Sequence, residues 1–169
     1  MKKILAILFG LAICGSAISQ TFEVPKNYSL VQIPDYNKYE PDVLKGIDWL
    51  QNTPLGKEDA KRKEAYAFIL KWMMGSPTVT IVVNGDIVKF SSENPDLVFI
   101  FMAGWTKYSL QTKDFKNQVI GNLKGIEAVI DFYKRNKEKL VKDKQVEKLI
   151  KLQEKGKLEK YIAKKIENK

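Results

Sequence analysis

Asn94-Pro95-Asp96-Leu97-Val98-Phe99-Ile100-Phe101-Met102-Ala103-Gly104-Trp105 decides the fold. Asn94 can cap a helix, Pro95 suits the first turn because its missing N–H would be unpaired there, and Asp96 complements the positive helix end. From Leu97 to Ala103 the run is apolar without a break. A helix with no polar face has to be covered all round, so this stretch is the buried central helix on which the others pack.

Working outward toward the N-terminus, the second helix is predicted from about Glu58 to Met74. It carries apolar Ala65, Phe68, Ile69, Trp72 and Met73 and stops at Gly75 and Pro77. A first helix is predicted from about Pro41 to Gln51, because Val43, Leu44, Ile47 and Leu50 recur at helical spacing. Residues 20–35, with Pro25 and Pro34, read as an extended arm laid over the body. Between the second and central helices, Thr78-Val79-Thr80-Ile81-Val82-Val83 is rich in β-branched residues. Asn84-Gly85 then offers a tight turn, and Asp86 to Phe90 returns. A short β-hairpin over Thr78 to Phe90 is the favoured reading; the competing one is an extended stretch followed by a short helix from Asn84 or Gly85.

Toward the C-terminus, Thr112 is expected to cap a long helix reaching about Lys137, with Phe115, Val119, Leu123, Ile126, Val129, Ile130 and Tyr133 as its stripe. Gly121 and Gly125 stand one turn apart in it. Because an interior glycine costs a helix about 1 kcal/mol against alanine, the pair predicts a second backbone close by, with Ala103 and Gly104 as its counterpart. Two shorter basic helices follow, about Asp143–Glu154 and Leu158–Glu167, separated at Gly156. The expected fold is a mostly α single bundle of five to six helices around a buried central helix, with one short β-hairpin.

The first nineteen residues are read as a leader. Met1-Lys2-Lys3 is basic, Ile4 to Ile13 is apolar apart from Gly10, and Ala17-Ile18-Ser19 places small residues at a cleavage site before Gln20. Leu11-Ala12-Ile13-Cys14 gives a lipoprotein alternative, weakened by bulky Ile13 where a small residue is required. The remaining chain, 20–169, has 150 residues and no cysteine, and is long enough to build one core without disulfides. It contains no apolar run near the roughly 18 residues a bilayer span needs. The expected location is periplasmic or secreted.

Charge is concentrated at one end. Residues 134–169 hold 14 basic and 6 acidic side chains, whereas residues 20–133 hold 13 basic and 14 acidic. Nucleic acid suits the charge but not an exported chain, and no binding motif supports it.

Lys71-Trp72-Met73-Met74-Gly75-Ser76-Pro77, the run from Asn94 through Gly104-Trp105-Thr106-Lys107-Tyr108-Ser109-Leu110, and Gly121-Asn122-Leu123-Lys124-Gly125-Ile126-Glu127-Ala128 together resemble a group of small exported proteins of Bacteroidetes-type bacteria. The resemblance would cover most of residues 20–169. It implies an exported home and carries no activity, cofactor or site with it.

Residue types bound the chemistry. The chain has no histidine, and its single cysteine lies in the leader. Histidine-dependent triads, Cys–His pairs and His-bearing zinc sites are therefore out of reach, and so are thiol chemistry and Fe–S ligation once the leader is removed. No calcium-loop spacing or phosphate-binding glycine loop is present, and no metal, cofactor or catalytic residue is assigned.

Two candidate surfaces remain. Trp105, Lys107 and Tyr108, joined by Trp72, can line an aromatic groove for a ligand. Lys148, Lys151 and Lys155 on the basic tail can hold a partner, either an envelope protein or an anionic surface. The expected function is a non-catalytic binding or interaction protein, with an inhibitor or immunity type as a special case. The alternatives are a carboxylate-dependent hydrolase of envelope glycan using Glu127 and Asp131, and an anionic-lipid surface binder.

Overall fold

The central helix is buried as its composition demands. In the computed structural model, which describes residues 22–90 and 93–167, Leu97, Phe99, Ile100, Phe101, Ala103, Gly104 and Trp105 are all buried. Six helices make up the described chain: α1 (Ile33–Asn52), α2 (Asp59–Gly75), α3 (Asp96–Thr112), α4 (Gln118–Arg135), α5 (Lys144–Glu154) and α6 (Leu158–Glu167). α3 packs most extensively on α4 and also on α1, α2 lies along α1, and α5 and α6 close over α4. One hydrophobic cluster runs through the assembly, from Phe22 in the arm to Ile162 in α6. The leader expected at 1–19 lies outside the described residues.

The α3–α4 contact is built on small residues. A Cβ added to Gly104 would lie 2.5 Å from the Ala128 Cβ and 2.9 Å from the Lys124 carbonyl oxygen. One added to Gly125 would lie 2.6 Å from the Phe101 ring and 2.8 Å from its carbonyl oxygen. Gly121 makes room in the same way for the Trp105 indole. The glycine spacing therefore marks a close backbone approach, with Gly104 as the counterpart.

The hairpin expected at Thr78 to Phe90 does not form; among the described residues there are no strands. A two-residue hairpin turn of the Asn-Gly type requires positive φ at both positions, and neither Asn84 nor Gly85 has it. The buried side chains also break the alternation a half-buried strand needs, because the neighbours Ile87 and Val88 are both buried. Instead the Asn84 Oδ1 accepts from the Asp86 N–H at 2.8 Å, and the Asn84 carbonyl accepts from Ile87 and Val88, each at 2.9 Å. An extended stretch thus leads into one helical turn opened by an asparagine.

Three helix boundaries also differ from expectation. α1 starts at Ile33 rather than Pro41, because Pro34 takes the first turn and the Asp35 carboxylate accepts from the Val31 and Gln32 N–H groups at 3.0 Å each. Pro41 is left inside the helix on an exposed face, where the Asn37 carbonyl it strands can meet water. Thr112 ends α3 instead of opening α4, its hydroxyl donating to the Tyr108 carbonyl at 2.8 Å. Asn117 caps α4, accepting from the Ile120 N–H at 3.1 Å.

The Asn94 side chain does not cap α3. It donates to the Val141 carbonyl at 2.9 Å and accepts from the Val141 N–H at 3.0 Å, clasping the segment that leads into α5. Asp143 then caps α5, accepting from Gln145 and Val146 at 2.8 and 3.1 Å.

Candidate binding surface

The residues expected to form an aromatic groove are divided between core and surface. Trp105 is 3% exposed and meets Phe101 edge-on, with centroids 6.0 Å apart. Trp72 is fully buried, and its indole N–H donates to the Tyr36 carbonyl at 2.9 Å. Only Lys107 and Tyr108 reach the surface. Lys107 pairs with Asp48, and the Tyr108 hydroxyl donates to Asp114 at 2.7 Å. That hydrogen bond, reinforced by N–H groups of Lys116 and Asn117, holds the Asp114 carboxyl below its ordinary range. Both indoles are thus occupied by packing. The four residues do not share an open groove.

The carboxylates considered for hydrolysis lie on the outer side of α4. Glu127 is held by Lys124 at 2.8 Å, and Asp131 is exposed. Neither lines the two cavities described below.

Both of those cavities border the loop between α1 and α2. Residues 53–58 turn sharply there, with Gly56 and Glu58 at positive φ. The loop is tied to the end of α4, because the Leu55 N–H donates to the Asn136 Oδ1 at 2.8 Å. The last carbonyls of α1 are covered by two arginines. Arg62 donates through Nη1 to Leu50 at 3.3 Å and through Nη2 to Thr53 at 2.5 Å, and Arg135 donates to Gln51 at 2.8 Å. Cations placed at the negative end of a helix satisfy both its orphan carbonyls and its dipole. Arg62 is buried and lies over the Trp49 ring, and desolvation lowers its pKa from the usual arginine value.

On one side of Leu55, a cavity of about 540 Å³ is lined by Arg62, Lys63, Tyr66, Leu70, Asp59 and Asp96. Tyr66 stacks on Phe99 at 3.6 Å and donates to the Asp96 carbonyl, and burial raises its phenol pKa. On the other side, a cavity of about 570 Å³ is bordered by Lys57, Lys134, Arg135, Lys137 and Lys139, with Glu138 its only acid.

The tail forms a third surface. Lys148 and Lys151 on α5 and Lys155 at its C-cap are exposed, with Lys148 Nζ 5.0 Å from the centre of the Tyr161 ring. None of the three forms an ion pair among the described residues. The apolar stripe beneath them, Val146, Leu149 and Ile150 with Leu158 and Ile162 of α6, is buried in the bundle. No helix among the described residues is long and apolar enough to cross a membrane, and no cluster of acidic side chains able to hold a metal occurs among them.

The residues around the loop escaped the sequence reading. Asn52-Thr53-Pro54-Leu55-Gly56 signals a turn, but nothing local reveals that Asn136, 81 residues beyond Leu55, fixes it. Comparison with known proteins finds no matching family, no similar curated protein and no similar solved structure.

Proposed function

We propose that this chain is an exported, non-catalytic binding protein that engages an acidic protein surface through the lysine face of α5 and α6. The observation that carries the reading is that Lys148, Lys151 and Lys155 stay exposed and uncompensated while the helix beneath them spends its apolar stripe on the core. Clustered charge of one sign steers association with the opposite charge and sets its salt dependence. A helix that has buried its stripe has little left to insert into lipid, which favours a protein partner over a bilayer. Export rests on the basic, apolar and small-residue order of positions 1–19.

The test compares tagged wild-type chain with Lys148→Glu/Lys151→Glu/Lys155→Glu by cross-linking in native envelope extract. A single stoichiometric partner should be captured by the wild type, weaken steeply with salt and disappear with the triple variant at unchanged Tm. Equal capture by both chains would refute the assignment of the contact to this face.

A further inference from the structure

We infer that the cavity between residues 54–57 and 134–139 is a binding site for a small polyvalent phosphate, a ligand carrying two or more linked phosphate groups. This site is separate from the lysine face of α5 and does not depend on it. Five cationic side chains, Lys57, Lys134, Arg135, Lys137 and Lys139, border a concavity of about 570 Å³ that holds one acid, Glu138. That volume falls within the range of small-molecule pockets, roughly 300–1,000 Å³, and exceeds what a single phosphate would fill.

Most of these cations are not neutralised by the protein itself. Among the described residues Lys57, Lys134 and Lys139 form no ion pair, and Lys137 meets Glu147 at 3.5 Å on an exposed flank. Like charges gathered around a low-dielectric wall repel one another, and a multivalent anion relieves that repulsion at every one of them.

The frame holding them is fixed. Arg135 is oriented by its hydrogen bond to the Gln51 carbonyl, and buried Asn136 ties the loop to α4 through Leu55. The negative end of α4 would oppose an anion, but two carbonyls of its last turn, those of Phe132 and Tyr133, are already engaged by Asn136. The Asn136 backbone N–H donates to Phe132 and Tyr133 at 3.0 and 3.2 Å, and its side chain donates to Phe132 at 2.9 Å. Arginine supplies a planar fork for phosphate oxygens, and the lysines supply mobile point charges that follow a chain of phosphates.

The test is calorimetric titration of the full chain with sodium tripolyphosphate at constant ionic strength. Wild type and Lys148→Ala/Lys151→Ala/Lys155→Ala should bind with equal affinity. Lys57→Ala/Lys134→Ala/Lys139→Ala should bind at least about tenfold more weakly while keeping its circular dichroism and Tm, since charge-assisted contacts are the strong ones. Sulfate at matched ionic strength should not displace the ligand. Three outcomes would overturn the inference: no heat from the wild type, an equal loss from the α5 triple variant, or displacement by sulfate, which would make the cavity host to an adventitious ion only.

Discussion

α3–α4 and α5–α6 are both helix pairs of one chain, and they are held by opposite means. In the first pair glycine and alanine bring two backbones into van der Waals contact, and Gly104 faces the Gly125 Cα across the seam. In the second, a narrow stripe of Val146, Leu149 and Ile150 rests on α4 while lysines occupy the outside. Where backbones touch, no side chain can be enlarged without moving a helix. Where a stripe is covered by solvated lysines, the outer residues can change freely. The molecule therefore separates a part that cannot vary from a part on which recognition can be written.

The largest expected effect lies in the tight seam. Gly104→Ala should destabilise the fold by about 2 kcal/mol, because overpacking exceeds the helix-propensity gain of about 1 kcal/mol. Gly85→Ala, at a position with open space and no positive φ, should be neutral or slightly stabilising, and urea denaturation of both variants reads the contrast. If Gly104→Ala proved as harmless as Gly85→Ala, the seam would be looser than the contacts imply.

Next comes the clasp between the two regions. Asn94→Ala removes both hydrogen bonds to Val141 and should cost about 2 kcal/mol, at about 1 kcal/mol net for each bond lost. Hydrogen exchange should show the loss first at Val141 and α5; protection unchanged there would mean the clasp is dispensable.

Asp143→Ala should cost about 1 kcal/mol through the lost cap of α5, read as a lower urea midpoint. The smallest effect is acid fraying of α1. Hydrogen bonds from the Gln32 and Val31 N–H groups lower the Asp35 pKa, so its stabilising contribution is complete above the unfolded-state pKa and is lost as pH falls through the folded one. A carboxyl titration by NMR should place the Asp35 midpoint below that of an unstructured aspartate, and Asp35→Asn should flatten the pH dependence of Gln32 amide exchange.

Apolar runs and glycine spacing were enough to find all six helices and the α3–α4 seam, because both signals are local and strong. Two of the departures came from asparagines. Asn84-Gly85 suits a hairpin locally, yet burial of both Ile87 and Val88 imposes a helical turn. Asn94 has the chemistry of a cap but is taken by Val141, a partner 47 residues away. For the candidate sites, the exposed lysines of α5 follow from periodicity. Trp72 and Trp105 illustrate the reverse: an aromatic residue reads alike whether it lines a groove or fills a core. The cavity beside Leu55 depends on two distant segments meeting, which no single stretch of sequence displays.

Three asparagines, Asn136, Asn94 and Asn84, tie distant segments together: Leu55 to the end of α4, Val141 to the start of α3, and the Lys165 carbonyl to the 79–90 stretch. Their order along the chain gives the molecule a direction under mechanical load. A pull applied at the C-terminus meets the Lys165 tie first, then the Val141 clasp, and only afterwards the glycine seam. Because the ties follow one another along the chain, α6 would come away before α5, and α5 before the inner helices.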